Sequence, residues 1–424
     1  MRPMTDALPT LAIFTTAYPR GRGETFLTAE LERLAPCFER VILVPRWREE
    51  GMRPMPANCE LDESLSLRAA QPTRHLRYAL RPIARPSSWR DAARLALQAS
   101  PEGLAHLATM LDQARLVERW VRRAITQGRT SAAGTVFYSY WLSGAALGLS
   151  RAARKQGIRA VARAHGSDLY DHAVPWGRHP LRAQTLAGLD AVYAVSDDGR
   201  DYLRAAAGDR ASIVQTARLG VHIPQGLARA SEDGVWRVLS CSNLIEVKRV
   251  DHLIEALAEV GPLLPGRRVE WTHLGDGPLR SELEARAAAV LGPTGVVWRW
   301  VGALPHERVL AWYDEQPVDV MVNTSRSEGL PVALMEALAR GVPVVAPDVG
   351  GVREAVPVGG GALTSAGAPP REVARAIAQL AVGDVQVARR AARGHAEACF
   401  DAHRNFAAFA QALVALARRP KGEA

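Results

Sequence analysis

The sequence predicts an α/β protein built from two doubly wound domains in tandem. Short apolar runs alternate with helical patterns along almost the whole chain, and the series starts again after a polar segment at 222–235. The length of 424 residues is enough for two or three domains. Strands that alternate with helices form parallel sheets covered by helices on both faces.

The first domain is predicted to span residues 1–225. Thr25–Leu34 is a predicted helix, and amphipathic Arg/Leu/Ala stretches broken by prolines predict a mostly helical insertion at about 62–130. The apolar runs that predict strands are Leu11–Thr15, Val41–Val44, Gly134–Tyr138, Arg159–Ala164 and Ala191–Val195.

The second domain is predicted to span residues 226–401. A helix is predicted at 402–424, and it can pack either on the second domain or, by crossing back, on the first. The predicted strands are Val235–Cys241, Arg268–Leu274, Val296–Val301, Val318–Asn323 and Val342–Ala346. The predicted helices are Asp251–Val260, Pro278–Leu291, Pro305–Tyr313 and Pro331–Arg340. Ligands of such sheets bind beyond the carboxyl ends of the strands, so we expect a site in a cleft between the two domains.

Composition excludes several classes of protein. A hydrophobic content of 48% and a charged content of 23% are ordinary for a globular chain. The four cysteines are scattered, which argues against a disulfide framework or a structural zinc site. No apolar run approaches the roughly 20 residues of a membrane span, and the N-terminus lacks a signal-peptide pattern, so we expect a cytoplasmic protein.

The positive charge is unevenly distributed. The net charge is +9, and residues 66–130 hold 12 Arg against 4 acidic residues, a net charge of +8. A solvated face and a peripheral contact with an anionic membrane at the inner face of the cell both remain open. No nucleic-acid-binding motif accompanies the charge, so we expect no nucleic-acid partner.

The segment SEGLPVALME places two carboxylates at the start of a helix. A strand ends near Asn323, a polar turn follows, and Pro331 stands in the first helical turn, where its missing N–H costs little. Glu328 is therefore expected in the loop and Glu336 within the helix. Free N–H groups at a helix N-terminus suit a diphosphate, and the two carboxylates can accept hydrogen bonds from sugar and ribose hydroxyls.

This segment resembles the E-x7-E motif of family 4 glycosyltransferases, as found in enzymes of bacterial exopolysaccharide, capsule and colanic-acid type. The resemblance implies the GT-B fold, in which two Rossmann-like doubly wound domains face a central cleft. It also implies that Glu328 contacts the donor sugar, that Gly329 and Leu330 help to bind the donor, and that Glu336 contacts the ribose.

Two further loops of the second domain are similar to loops of this family. The loop SCSNLIEVKRV follows the first strand, and Lys248 matches a family cation directed at the diphosphate. Asn243 stands where the family usually has Arg, and Arg249 is a candidate to compensate for the missing charge. In the turn HLGDGP, the resemblance implies a place near the nucleotide for Gly275 and Gly277, although a plain strand-to-helix turn explains them equally well.

The first domain contributes two candidate loops. In the loop after the strand 159–164, His165 resembles the cleft histidine that lies beside the transferred sugar, and Asp168 either binds the acceptor or orders the loop. Gly21 and Gly23 lie in the loop after the first strand, where glycines before a helix N-terminus can hold a phosphate.

The resemblance implies a retaining hexosyltransferase that needs no metal and no cofactor. It would move a sugar from a UDP- or GDP-sugar to a saccharide or lipid-linked acceptor in surface polysaccharide biosynthesis. One alternative is another GT-B enzyme, such as a nucleotide-sugar epimerase. The other is a catalytically degenerate partner in a polysaccharide assembly complex, which only Asn243 favours. The sequence does not identify the sugar, the base, the acceptor or the oligomeric state.

Overall fold

The computed structural model describes residues 8–21, 23–69 and 86–419. Residues 70–85, which belong to the predicted helical insertion, lie outside the described residues, as do 1–7, 22 and 420–424. The described chain forms two compact units. One contains the residues up to Ala217 together with those from Arg404 onward, and the other is Arg218–His403.

The first unit contains a sheet of seven parallel strands in its described part. The strands are β1 (Thr10–Thr15), β2 (Arg40–Pro45), β3 (Cys59–Leu61), β4 (Thr135–Ser139), β5 (Arg159–Ala164), β6 (Ala191–Ala194) and β7 (Val214–Thr216), and their order in the sheet is β3-β2-β1-β4-β5-β6-β7. The helices are α1 (Phe26–Leu34), α2 (Ser64–Ala69), α3 (Pro86–Leu97), α4 (Pro101–Thr126), α5 (Gly144–Gln156), α6 (Arg182–Leu186) and α7 (Asp197–Ala207).

Both faces of this first sheet are buried. Along β1, Ala12 and Phe14 pack into one hydrophobic cluster, whereas Leu11 and Ile13 pack into another. Because successive side chains of a strand point to opposite faces, this division shows one cluster on each side of the sheet. A strand buried on both faces reads as a continuous apolar run, which is why these strands were visible in the sequence.

The second unit contains a sheet of six parallel strands in its described part. The strands are β8 (Val235–Cys241), β9 (Arg268–Leu274), β10 (Val297–Gly302), β11 (Val320–Val322), β12 (Val344–Pro347) and β13 (Gly361–Thr364), in the order β10-β9-β8-β11-β12-β13. The helices that follow are α8 (Val250–Val260), α9 (Arg280–Leu291), α10 (His306–Glu315), α11 (Val332–Ala339), α12 (Val352–Ala355), α13 (Pro370–Val382), α14 (Val385–Cys399) and α15 (Ala402–Arg418).

The last helix contributes to the core of the first unit. From Arg404 onward its residues belong to that unit, and Phe409 lies against Tyr138 and Tyr193 with ring centroids 5.4 and 5.0 Å apart. Such edge-to-face aromatic pairs add roughly 0.5–1.5 kcal/mol to the burial of the ring area. Among the described residues, no helix combines the length and the apolar character that crossing a membrane requires.

Candidate active site

The strand order of the second sheet reverses between the neighbouring strands β8 and β11. From β8 the chain moves outward through β9 and β10, and then returns to the other side of β8 to form β11. In open α/β sheets, the loops that follow the strands at such a reversal line a ligand-binding crevice. The loops 242–249 and 323–331 are therefore the candidate ligand loops of this unit.

An ion pair joins these two loops. The Lys248 ammonium lies 2.7 Å from Oε1 of Glu328, and Asn323 Nδ2 donates to the same oxygen at 3.2 Å. The Lys248 and Glu328 side chains are 24% and 11% exposed, so both remain accessible to a ligand from solvent. The ammonium can bind an anion and the carboxylate can accept from hydroxyl groups, and the two chemistries lie side by side.

Further hydrogen bonds fix the relative position of the two loops. The Thr324 hydroxyl donates to the backbone carbonyls of Lys248 and Arg249 at 3.1 and 2.8 Å. The Arg326 N–H donates to the carbonyl of Val247 at 2.8 Å. The Lys248–Glu328 pair is therefore held by the backbone on both sides as well as by its own charges.

The other predicted residues of these loops occupy different environments. Asn243 is exposed, and Arg249 is half-buried with a positive φ of 49° at the start of α8. Gly329 and Leu330 are buried immediately before α11. The structure thus places Asn243 on the surface of the loop that carries Lys248, while Gly329 and Leu330 support the loop that carries Glu328.

Gly275 and Gly277 pack directly against the loop 242–244. A Cβ at Gly275 would lie 1.9 Å from the carbonyl oxygen of Ser242, and one at Gly277 would lie 2.5 Å from the carbonyl oxygen of Leu244. Gly275 also has a φ of +139°, which disfavours any other residue. Close contact between two loops accounts for both glycines, and the predicted proximity to a nucleotide stays a prediction.

A buried network below this turn supports the loop. Trp271 Nε1 donates to the Ser240 hydroxyl at 2.9 Å, and that hydroxyl lies 2.8 Å from Nδ1 of His273. The Nε2 of His273 lies 3.1 Å from the Ser242 carbonyl. Burial lowers the pKa of His273 to about 4, so the ring is neutral at neutral pH, with Nε2–H as the donor to Ser242.

Glu336 is held by a histidine that the sequence did not single out. The Glu336 carboxylate is buried in α11, and its Oε1 lies 2.5 Å from Nε2 of His306, the first residue of α10. The hydrogen bond that Glu336 accepts from His306 raises the pKa of His306 above its ordinary value, although partial burial acts in the opposite direction. Glu336 therefore carries an imidazole partner, and a ribose hydroxyl would share the carboxylate with it.

In the first unit, Glu24 organises the loop after β1. Its carboxylate accepts from the backbone N–H groups of Thr16, Ala17 and Tyr18 at 2.9–3.0 Å. Trp141, which follows β4, donates its Nε1–H to the same carboxylate at 2.7 Å. Glu24 itself is buried and has a positive φ of 53°. One carboxylate thus joins the two loops at the reversal point of the first sheet, between β1 and β4.

Gly21 and Gly23 bind the side chain of Arg53 through their backbone carbonyls. The Gly21 N–H donates to the Glu50 carbonyl at 3.0 Å, and the carbonyls of Gly21 and Gly23 accept from the Arg53 guanidinium at 2.7 and 2.8 Å. A Cβ at Gly21 would collide with the Glu49 side chain. The N–H of Gly21 is therefore occupied within the protein, and phosphate binding by this loop stays a prediction.

His165 sits in an aromatic environment, and its Nδ1 lies 3.9 Å from Oδ2 of Asp168, which is longer than a hydrogen bond. The side chain is 10% exposed, and its ring lies 4.3 Å from Trp141, 5.0 Å from Tyr140 and 5.7 Å from Phe26 between centroids. Neither ring nitrogen has a hydrogen-bond partner among the described residues. Because a buried polar group without a partner is costly, a ligand hydroxyl is a natural partner for this ring.

Asp168 orders the loop in which His165 lies. Its two oxygens accept from the backbone N–H groups of His165 and Leu142 at 2.8 and 2.7 Å. Burial would raise the pKa of Asp168, but the nearby His165 ring and the hydrogen bonds from the backbone N–H groups of His165 and Leu142 outweigh that effect and hold the pKa below its usual value. The loop-ordering alternative accounts for these contacts, and acceptor binding by Asp168 stays a prediction.

Sequence reasoning missed four residues of these sites. Glu24 directly follows Gly23 in the predicted loop, Trp141 lies in the loop after a predicted strand, and Asn323 ends another strand, so position alone could have indicated these three residues. No sequence pattern indicated His306, because its contact with Glu336 joins two helices that are separate in sequence. Among the described residues, no three His, Cys, Asp or Glu side chains are grouped so that they could hold a metal ion.

Comparisons with known proteins identify the second unit. The family model described as glycosyl transferases group 1 matches residues 236–382, which include both ligand loops. Residues 236–382 are a glycosyltransferase group 1 domain. The resemblance found in the sequence is therefore confirmed for this domain, and Lys248, Glu328 and Glu336 lie inside it.

Sequence relatives agree with this domain assignment. The amylovoran biosynthesis glycosyltransferase AmsK of Erwinia amylovora is 29% identical over 187 residues, 43% of this chain and 45% of that protein. The D-inositol 3-phosphate glycosyltransferase of Frankia alni is 32% identical over 266 residues, 57% of this chain and 64% of that protein. The alignments thus span about half of the first relative and less than two thirds of the second.

The fold is shared over nearly the whole chain. The structure of Anabaena HepE in complex with UDP-glucose is 18% identical with a TM-score of 0.62, and the match covers 96% of this chain and 99% of that one. At this identity the likeness shows the fold alone. The predicted GT-B fold, with its two parallel sheets, is confirmed.

Proposed function

We propose that this chain is a retaining glycosyltransferase that takes a hexose from a nucleotide-sugar donor, UDP- or GDP-linked. The observation that carries the proposal is the Lys248–Glu328 pair, 2.7 Å apart at the strand-order reversal of the glycosyltransferase group 1 domain. A nucleotide-sugar donor needs a cation beside its diphosphate and a carboxylate that accepts from its sugar hydroxyls. The pair supplies both groups side by side.

The proposed chemistry needs only groups of the chain and of the substrates. The acceptor hydroxyl attacks the anomeric carbon from the face that the leaving diphosphate vacates, the bond from that carbon to the diphosphate oxygen breaks, and the diphosphate takes the acceptor proton. Lys248 and the N–H groups at the start of α11 would stabilise the negative charge that develops on the diphosphate. Glu328 would hold the sugar, and Glu336 would hold the ribose.

In the first unit, the proposal assigns the reacting sugar to His165. Two unpartnered ring nitrogens among three aromatic rings support this role, because a buried imidazole can donate to a sugar hydroxyl while aromatic faces cover the apolar side of a pyranose. Asp168 would keep the His165 backbone in place and Trp141 would pack against its ring.

The proposed acceptor is a saccharide or lipid-linked saccharide of surface polysaccharide biosynthesis. AmsK, a relative over 43% of this chain, is named for amylovoran biosynthesis, and the HepE structure was solved with UDP-glucose. Those names describe the relatives, and they support a UDP-sugar as the first donor to test and a polysaccharide repeat as the first acceptor.

The experiment that tests the proposal measures release of the nucleotide and the fate of the sugar. Purified protein is incubated in EDTA with UDP- or GDP-hexose, with and without lipid-linked acceptor, and the products are examined by mass spectrometry and proton NMR. Acceptor-dependent transfer with an α-linked product from an α-linked donor is expected. Conversion of the donor to an epimer without transfer would favour the epimerase alternative, and no donor turnover at all would favour a degenerate partner.

A peripheral membrane contact is part of the proposal. In α3, Trp89 and Leu97 are 53% and 88% exposed, and Arg90 lies exposed beside Trp89 in a basic stretch. Exposed aromatic and basic side chains together favour the surface of an anionic bilayer. Sedimentation with phosphatidylglycerol vesicles should fall steeply as salt is raised, whereas salt-independent or absent binding would contradict this contact.

A further inference from the structure

The first unit contains a cavity next to His165. The proposed function assigns no part of the nucleotide-sugar donor to this cavity. Its volume is about 290 Å³, close to the lower limit of about 300 Å³ for small-molecule sites. Trp141, whose ring packs against His165, and Asp168, which accepts from the His165 backbone N–H, both line the cavity. A molecule in this cavity would therefore reach the side chains around the His165 ring.

Two arginines line this cavity and have donors without an acceptor among the described residues. Arg46, just after β2, donates through Nη1 to Gln113 at 2.9 Å, while its Nε is buried without a partner. Arg182, at the start of α6, donates through Nη2 to the Leu169 carbonyl at 2.7 Å, while its Nη1 is buried without a partner. A guanidinium has five N–H donors and no acceptor, so what these groups lack is an acceptor, and an anion is the strongest one.

The acidic groups near the two arginines do not meet this need. Asp168 accepts from two backbone N–H groups, and Asp171 accepts from the backbone N–H of His179 at 2.9 Å. Burial lowers the pKa of Arg182 although these two carboxylates act in the opposite direction, and it lowers the pKa of Arg46 although Asp112 opposes it. Among the described residues, none of these three carboxylates forms an ion pair with Arg46 or Arg182, so neither guanidinium has an anionic partner in direct contact.

Other features of the cavity favour the same kind of ligand. Ser143 and Gly144 line it at the N-terminus of the 13-residue helix α5, where the first N–H groups have no helical acceptor. The two lining histidines, His106 and His179, have pKa values lowered mainly by burial, for His179 to about 4, so both rings are neutral. His179 uses its single N–H, at Nε2, on the Tyr170 carbonyl at 3.1 Å, which leaves the ring of His106 as the histidine donor of the cavity.

We propose that this cavity binds an anionic group of the acceptor, a phosphate or a carboxylate, between Arg46 and Arg182. The inference rests on the proposed function, because it names the acceptor as a charged saccharide. An acceptor held by its anionic group would present a neighbouring hydroxyl toward His165, whereas a neutral saccharide would offer the two guanidinium groups only uncharged acceptors, which bind a cation more weakly.

The test uses isothermal titration calorimetry on the full chain in low-salt buffer. Inorganic phosphate, glucose 1-phosphate, glucuronate and neutral glucose are titrated separately into the wild-type protein. Saturable binding of phosphate and glucose 1-phosphate would assign a phosphate site, and preferential binding of glucuronate would assign a carboxylate site. Binding of none of the anions, or equal binding of neutral glucose, would overturn the inference.

Three arginine variants test whether the anion binds in this cavity. Arg182→Gln and Arg46→Gln should each weaken anion binding about tenfold or more, because each removes a charge-assisted hydrogen bond. Arg122→Gln removes an exposed arginine of α4 outside the cavity and should leave the affinity unchanged. Two arginine variants are used so that a folding defect in one, seen as a lowered melting temperature, does not remove the test. Anion affinity unchanged in both folded variants would contradict the assignment.

A further variant separates this inference from the proposed function. Lys248→Met should lose affinity for UDP but retain phosphate binding in the first unit. Loss of phosphate binding in Lys248→Met alone would place the anion at the donor loops and overturn the inference. If wild-type protein binds phosphate through Arg182 but binds no nucleotide, the proposed function fails while the anion site stands.

Discussion

Replacing Lys248 by methionine separates ligand binding from folding. The side chain keeps its length but loses its charge, and with it the 2.7 Å contact to Glu328. The members of the pair are 24% and 11% exposed, so losing the cation leaves a partly buried carboxylate, but Glu328 retains its hydrogen bond from Asn323, and we expect a cost of about 1–2 kcal/mol in stability. The melting temperature should therefore fall by no more than about 4–8 °C, the shift that about 2 kcal/mol produces in a domain of this size.

The effect on nucleotide binding should be much larger. A hydrogen bond to a charged group contributes about 1.5–3 kcal/mol, and each 1.4 kcal/mol is a factor of ten in affinity. If Lys248 binds the diphosphate, Lys248→Met should bind UDP about 10- to 150-fold more weakly than the wild-type protein. A large loss of UDP affinity together with a small change in melting temperature would identify Lys248 as a ligand-binding residue.

The assay is isothermal titration calorimetry with UDP in EDTA, paired with thermal unfolding followed by circular dichroism. The control is Arg286→Met, which removes a 2.7 Å ion pair with Glu255 on helices of the same unit, away from both ligand loops. The control should match the wild-type affinity. A Lys248→Met protein that binds UDP within twofold of wild type would refute the reasoning.

Three other substitutions test separate parts of the account. Glu328→Ala should abolish sugar transfer while the circular dichroism spectrum stays native, since the residue lies in a loop; wild-type turnover would contradict its role. Glu24→Gln should lower the free energy of unfolding by about 2 kcal/mol or more, because an amide NH2 group would face backbone N–H donors, and an unchanged urea midpoint would count against this. The raised pKa of His306 stabilises the folded state fully below about pH 6.5 and loses this contribution as the pH rises through the folded-state pKa. His306→Gln should therefore flatten the decline of melting temperature between pH 6 and 9, and identical profiles would refute the pairing with Glu336.

Much of the fold was predictable because most of its strands are buried on both faces. β5 and β8 agree with the predicted runs at both ends, since each is a short segment rich in alanine, valine and other apolar residues that is buried over most of its length. Three strands were missed, namely β3, β7 and β13, and each has only three or four residues. β3, for example, is Cys-Glu-Leu with no fully buried residue, so its pattern differs little from that of a loop.

The loops that carry the site were predictable, but their contacts were not. Lys248 and Glu328 were predicted because each lies in a loop that follows a strand. They are 80 residues apart in sequence, and the fold brings their side chains within 2.7 Å because β8 and β11 are neighbours in the sheet. Glycine at 275 and 277 signalled a close approach, but only the structure shows that the approaching group is the 242–244 backbone. The pairing of His306 with Glu336 depends on how two helices pack, which local sequence does not encode.

The most direct test of the central claim is thermal stabilisation of the wild-type protein by UDP, GDP, ADP, TDP and CMP in EDTA, with Lys248→Met run in parallel. The account predicts a shift with one nucleoside diphosphate, because a ligand that binds the folded state raises its stability, and little or no shift in the variant. The absence of any shift in a folded wild-type sample, or an equal shift in the variant, would contradict a donor site built on Lys248 and Glu328.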